Sequence, residues 1–220
     1  MIVPSFLRTV AAEAPSVTLS ILPATRIDLS LQIDIGWIDA AQGSFSEIPK
    51  RLQSELLFDE PDVLVVAPDH PLAGRDISLE SLSALRIFAV AAGGAEDAHL
   101  AERGLVRRTE MFDRTGLFDA FDRIGIKPAL GVAQPHFLAL PALLAGSRAA
   151  AIVPAALGEF FRRSGTASVS RLPWTGATNS VQMIWHERIA RDPAQGWLRS
   201  KLLAAALPFR QREPQKKQLL

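Results

Sequence analysis

The chain has no cysteine in its 220 residues, which excludes disulfides, thiolate chemistry and cysteine-ligated metals. It also has no excess of either charge. With 24 basic and 23 acidic residues the formal net charge is +1, so there is no electrostatic case for nucleic-acid binding by this chain. The only basic run, Lys216-Lys217, is too short for a phosphate-binding arm. No apolar run approaches the roughly 20 residues of a membrane span. The opening MIVPSFLRTV lacks a basic region followed by an apolar core and a cleavage site, so the expected compartment is the cytoplasm. Gly-x-Ser-x-Gly, His-Glu-x-x-His and Gly-x-x-x-x-Gly-Lys are missing, and the histidines at 70, 99, 136 and 186 lack metal-ligand spacing. No catalytic residue, metal or cofactor is expected.

What is present fits a soluble globular protein: 48% of residues are hydrophobic, enough for one domain or two modest lobes. Pro4 suits a first helical turn, followed at helical spacing by Phe6, Leu7, Val10 and Ala11. Val17 to Leu22 alternates like a strand. Arg26 to Ile35 reads as a helix, stopped by Gly36. Ile38 to Ala41 reads as a short buried strand that opens into a loop at Gln42-Gly43-Ser44. Val63 to Ala67 is a β-branched run of the kind covered on both faces, stopped by Pro68-Asp69-His70-Pro71.

The pattern then restarts. Ser78 to Leu82, Phe118 to Ile124, Phe137 to Leu144 and Leu157 to Arg163 read as helices. Arg86 to Ala92, Ala129 to Val132 and Ala149 to Val153 read as strands. Ser180 to His186 is a last strand, and a helix from Asp192-Pro193 is expected to end at Pro208. Alternating α and β elements argue a largely parallel, doubly wound sheet, and the restart argues a second lobe. Trp37, Trp185 and Trp197 read as core, and Asp113, Asp119 and Asp122 as a solvated face.

Gly36-Trp37-Ile38-Asp39-Ala40-Ala41, then Leu57-Phe58-Asp59-Glu60, then His70-Pro71-Leu72-Ala73 occur in one order and spacing. Together they resemble the effector-binding (substrate-binding) domain of LysR-type transcriptional regulators. Trp-His after a strand, Asp-Pro and Trp-Leu-Arg between Val181 and Leu203 recur in family order, so the resemblance covers nearly the whole chain.

The resemblance implies an α/β fold of two Rossmann-like lobes, type 2 periplasmic-binding-protein-like, with a ligand cleft between lobes. Two crossings would place residues 1–74 and 177–209 in lobe one and 75–176 in lobe two, with 210–220 a flexible tail. It implies a sensing role for a small-molecule effector, not an enzyme. Partners would be a homo-oligomer, dimer or tetramer, and DNA only through an N-terminal helix-turn-helix domain that this sequence lacks. A free solute-binding protein of the same fold is the alternative. Two departures stand out. The family's first strand, expected inside the sheet, is absent, so the chain reads as a fragment. Ala95 to Gly116 is longer than the usual connection, either a lid or a structural extra.

Gln134-Pro135-His136-Phe137 is the leading site candidate, between a strand and an apolar helix where backbone N–H groups and the helix end favour an anion. The branch of the family sensing aromatic acids and flavonoids has Pro-His-Phe here, close to its cleft. The other reading of His136 is a helix cap without a ligand. Gln42-Gly43-Ser44-Phe45 is the lobe-one candidate, or else a plain connection. Ala92-Gly93 is its lobe-two counterpart, or an ordinary turn. Trp174, before Thr175-Gly176 near the second crossing, is the tryptophan placed near the cleft. His70 and His186 read as structural.

Overall fold

A computed structural model describes residues 2–23, 27–90, 103–107, 112–134, 136–176 and 178–210. The chain forms two compact units. The first draws on Met1–Asp59, His99–Arg108 and Ser180–Leu220, the second on Glu60–Ala98 and Thr109–Asn179.

In the first unit the helices are α1 (Val3–Glu13), α2 (Leu29–Asp34) and α7 (Pro193–Arg210). The strands are β1 (Ala40–Gly43), β2 (Phe45–Glu47), β3 (Leu52–Glu60), β6 (Val106–Arg107) and β10 (Asn179–His186). A three-stranded sheet runs β1-β10-β3, with β1 antiparallel to β10, while β2 and β6 form a separate antiparallel pair. Successive strand residues point to opposite faces. Met183 of β10 thus packs with Phe6 and Val10 of α1 and Ala206 of α7, while Ile184 packs with Leu29 and Ile33 of α2. Asp28 starts α2 by accepting the Leu31 N–H at 2.8 Å. At the other end the Arg188 guanidinium donates to the carbonyls of Ile33 (2.7 Å) and Asp34. Gly36 takes φ +82, the left-handed position for which only glycine carries no steric penalty.

The second unit carries one five-stranded sheet. Its strands are β4 (Asp62–Val66), β5 (Arg86–Val90), β7 (Ala129–Gln134), β8 (Ala149–Pro154) and β9 (Ser168–Ser170), in the order β7-β5-β8-β4-β9. Its helices are α3 (Leu79–Ser83), α4 (Arg114–Asp122), α5 (Leu140–Leu144) and α6 (Ala155–Arg163). Continuous apolar strands follow from cover on both faces. Leu64, Val66, Ala150 and Ile152 pack under Leu82 of α3 and Phe121 of α4. Val65, Ala149, Ala151 and Val153 pack under Leu144 of α5 and Phe161 of α6.

Several expectations change. The second unit's sheet is mixed: β5 is parallel to β7 and β8, but β4 is antiparallel to β8 and β9. The strand expected over Val63–Ala67 within a first lobe belongs to the second unit's sheet, because its register partners are β8 and β9. The short strand expected at Ile38–Ala41 lies at Ala40–Gly43 and is half-buried at the sheet's edge. Residues 52–60, for which the sequence suggested no strand, form the nine-residue β3. Val17–Leu22 joins no sheet among the described residues. Trp37 is 80% exposed, turned outward after Gly36, whereas Trp185 and Trp197 pack on the α1–α7 core.

Pro208 does not end α7. The helix runs on to Arg210, whose guanidinium donates to the Leu56 carbonyl while Phe209 stacks on Phe58 at 5.2 Å. Residues 211–220, expected as a flexible tail, lie outside the described residues. Arg103–Arg107 belongs to the first unit while Val90 and Phe112 belong to the second, so the chain passes between units four times instead of twice.

Helix α6 approaches its sheet through Gly158. A Cβ there would stand 2.6 Å from Val63 Cγ2. Gly158→Ala is expected to destabilise by ~1–3 kcal/mol through overpacking. Gly196→Ala in α7, with only the Arg199 guanidinium within 4 Å, at an ordinary contact distance of 3.8 Å, should be neutral or stabilise by up to ~1 kcal/mol. Urea denaturation of both variants checks the contrast.

Candidate functional site

The residues expected at the ligand are distributed over both units. In the first, Gly43 closes β1 opposite Gln182 and Phe45 opens β2. The segment expected as a loop is therefore mostly strand, with Ser44 alone as the link. Gln42 is exposed, and Gly43 and Ser44 are half-buried. The Phe45 ring is buried with Leu29, Ile33, Leu52 and Ile184, and a Cβ on Gly43 would stand 3.3 Å from it. Phe45 supports the strand end from inside, leaving the Gln42 side chain and the Ser44 hydroxyl as the polar groups there.

In the second unit, β7 ends at Gln134, opposite Val90 at the end of the parallel β5. The carboxyl ends of parallel strands are where open α/β sheets take ligands. His136 follows, exposed, at the N-cap of the 3-10 turn Phe137–Ala139, with no side-chain capping hydrogen bond. Phe137 is half-buried against the α5–α6 core, and Leu138 beside it is 71% exposed. A 3-10 turn leads into the five-residue α5, in place of the single expected helix, so little macrodipole is available to an anion. Ala92, Gly93 and Pro135 lie outside the described residues, and for Gln134 the backbone alone is described.

Trp174 is half-buried with Leu172 against the α3–α4 core. Its Nε1 is buried without a hydrogen-bond partner among the described residues. A Cβ on Gly176 would meet that nitrogen at 3.6 Å and Asp113 Oδ2 at 3.9 Å. The nearest atom to that Cβ would be Leu172 Cδ1 at 3.3 Å, so the glycine allows close packing there. Asp113 is not on a solvated face as its spacing implied. It caps α4 by accepting the Gly116 N–H at 3.0 Å, and its own N–H donates to Asp62 at 3.0 Å.

Sequence reasoning missed a charge cluster in the first unit. Arg51 Nε lies 2.8 Å from Asp34 Oδ1, Arg51 Nη2 donates to the buried Ser30 hydroxyl at 2.7 Å, and Arg103 Nη1 is 3.9 Å from Asp34 Oδ2. His186 Nε2 is 3.9 Å from Asp34 Oδ1 while its Nδ1 accepts the Arg188 N–H at 3.1 Å. The Arg51 hydrogen bond, with the charges of Arg51, His186 and Arg103, holds the Asp34 carboxyl below the usual carboxylate range. No local motif announces partners 17 to 152 positions apart. His70 is structural: its Nδ1 accepts the Leu72 N–H at 3.1 Å, and burial lowers its pKa, with Arg148 adding to the effect. Among the described residues, no three His, Asp or Glu side chains are grouped to hold a metal.

Two α/β units, each with helices on both faces of its sheet, define a two-lobed fold of the type 2 periplasmic-binding-protein kind. Within that class, the family described as LysR substrate binding domain matches residues 1–207, and the chain belongs to that family. It is 26% identical over 196 residues to the HTH-type transcriptional activator NagR of Ralstonia sp, covering 89% of this chain and 60% of NagR. The chain therefore spans less than two thirds of that relative's length. The regulatory domain of MexT from Pseudomonas aeruginosa superposes with a TM-score of 0.73 at 22% identity, covering 92% of each chain. The effector-binding domain of QuiR, solved in complex with shikimate, superposes with a TM-score of 0.65 at 17% identity, covering 94% of this chain and 90% of QuiR. The family is one of transcription regulators and not of enzymes.

The lowered Asp34 pKa gives a signed expectation. A depressed carboxylate stabilises the fold above its unfolded pKa of about 3.9 and loses that contribution as pH falls through the lower folded value. Asp34→Asn should therefore be less stable than the parent at pH 7, with the gap shrinking below about pH 4. Urea midpoints of both proteins from pH 7 down to pH 3 measure it.

Proposed function

We propose that this chain is the effector-sensing part of a LysR-type transcription regulator and takes a small carboxylic acid, aromatic or cyclic. The observation that carries the reading is the family match over residues 1–207, taken with half-sites at the carboxyl ends of strands in both units. Gln42 and Ser44 from one unit, and His136, Phe137 and Trp174 from the other, are the groups assigned to the ligand. Gln42, Ser44 and His136 supply hydrogen bonds to a carboxylate or hydroxyl, and the Phe137 ring supplies an apolar face. Gly43 and Gln134 contribute backbone, and Phe45 the support beneath. QuiR, of the same fold, is a protein whose effector-binding domain holds shikimate, itself a cyclic carboxylic acid. A transcription regulator is preferred over a free solute-binding protein because NagR, the relative described above, is an HTH-type activator.

In this reading the effector binds one arrangement of the lobes more tightly than another and shifts their equilibrium by that difference in affinity. The shift reaches DNA through a helix-turn-helix domain and a dimer or tetramer, in the cytoplasm.

A panel of aromatic carboxylates plus shikimate should contain at least one compound that raises the melting temperature by several degrees. A ligand present at about 100 times its Kd adds ~2.7 kcal/mol to the stability of the folded state. A flat response across the panel would mean the ligand class is wrong. With an active compound in hand, His136→Ala should weaken binding by about 5- to 20-fold, the scale of one hydrogen bond, and leave the ligand-free melting temperature unchanged. Titration calorimetry that returns the parental affinity would remove His136 from the site.

A further inference from the structure

Helix α2 ends in a closed turn that fixes the backbone of the residues after it. The Gly36 N–H donates to the Ile33 carbonyl at 3.2 Å and the Trp37 N–H to the Gln32 carbonyl at 2.9 Å. The Ile38 N–H reaches the same Gln32 oxygen at 3.2 Å. The first two are the crossed bonds of a Schellman turn, where an apolar residue at the Trp37 position commonly packs back on the last turn of the helix. Here the residue it bonds back to is Gln32. Trp37 is left 80% exposed, with Ile35 beside it 54% exposed. A tryptophan on backbone that is already fixed costs little ordering to cover, and tryptophan and arginine are the residues that dominate the centres of interfaces.

Arginines stand around the same turn. Arg188, on the 3-10 turn Glu187–Ile189, donates Nη2 to the Ile33 carbonyl at 2.7 Å and Nη1 to the Asp34 carbonyl. Its Nη2 would stand 3.0 Å from a Cβ on Gly36. Those two bonds leave further N–H groups on the fork, and among the described residues Arg188 has no carboxylate partner. Asp34 is shared by Arg51, at 2.8 Å, and Arg103, whose Nη1 stands off at 3.9 Å on a side chain 56% exposed. Two exposed acids lie close in sequence. Asp39 accepts the Gln195 side chain at 2.8 Å, and Glu187 forms no ion pair among the described residues. Three guanidinium groups are thus fixed at one helix end with a single carboxylate between them.

We propose that the C-terminal end of α2 is a docking surface for an acidic protein segment. An apolar side chain of that segment covers Trp37 and Ile35, and its carboxylates pair with Arg188 and Arg103. Arginine takes carboxylates and phosphates alike, and a tryptophan can stack on a base, so the apolar part of the surface decides between them. Ile35 offers a base no ring to stack on, whereas an aliphatic or aromatic side chain covers both residues. The surface belongs to the first unit alone and shares no residue with the groups assigned to the effector, so the two readings stand or fall separately.

A phage-displayed library of random peptides about twelve residues long, selected on the protein and counter-selected on Trp37→Ala, tests the proposal. Trp37→Ala and Arg103→Glu change exposed side chains, and both should keep the parental melting temperature. The enriched peptides should combine aspartate or glutamate with an apolar residue. The strongest, made as a labelled synthetic peptide, should bind about tenfold more weakly once its acids are replaced by their amides. Arg103→Glu should weaken it about fivefold at ~0.05 M salt and by less at ~0.5 M, because exposed charges are screened. The proposal is overturned if no peptide is enriched, if the enriched peptides lack acids, or if folded Arg103→Glu binds the peptide as the parent does. It is equally overturned if a short DNA duplex binds in a Trp37-dependent way, or if Trp37→Ala abolishes a self-association seen by sedimentation, since another occupant would then own the surface.

Discussion

The carboxyl group of Asp62 is the constraint on which the arrangement of the chain depends. It is 7% exposed, at the first residue of β4, where the chain has just entered the second unit. A carboxyl group there has lost most of its water and is tolerated only where donors replace it. The replacements come from far along the chain: the Asp113 backbone at the start of α4 and the Asn179 side chain at the start of β10. Meeting one local requirement thus draws together the start of the sheet, the return of the long segment and the exit from the unit. Glu60 adds a third tie, accepting the Ala156 N–H at the start of α6 at 2.6 Å.

The sheet of the second unit was the most legible part of the fold, for a physical reason. Val63–Ala67 and Ala149–Val153 have apolar residues at both parities because helices cover both faces, and such runs read as strands without reference to anything else. β3 was illegible for the opposite reason. Its residues Gln53 to Leu56 are exposed, and pairing with β10 within the sheet, not composition, makes the segment a strand. Val17–Leu22 shows the converse, since alternation alone does not make a strand without a partner ladder. At Pro208 local propensity was overridden by tertiary anchoring, with Phe209 on Phe58 and Arg210 on the β3 carbonyls.

At the site, the sequence located positions better than roles. Gln42 to Phe45 and Gln134 to Phe137 do stand at strand ends, because glycine, proline and polar residues punctuate strands for the steric reasons that make them readable. The burial of Phe45 was not readable, since an aromatic after a Gly-Ser pair is equally at home in a pocket or a core. Phe45 packs in a core with Leu29, Ile33, Leu52, Leu105 and Ile184, which come from up to 139 positions away. The Asp34–Arg51–Arg103–His186 cluster was invisible for the same reason: its members share a place and no motif.

The proposed reading assigns residues of both units to the effector. Backbone amide hydrogen exchange with and without a saturating ligand, identified by its thermal shift, tests that claim most directly. The account predicts that ligand slows exchange at Gly43 and Ser44 and at His136 and Phe137 together, with one affinity governing both. Protection confined to one of these segments, or absent from both while the ligand is bound, would contradict it.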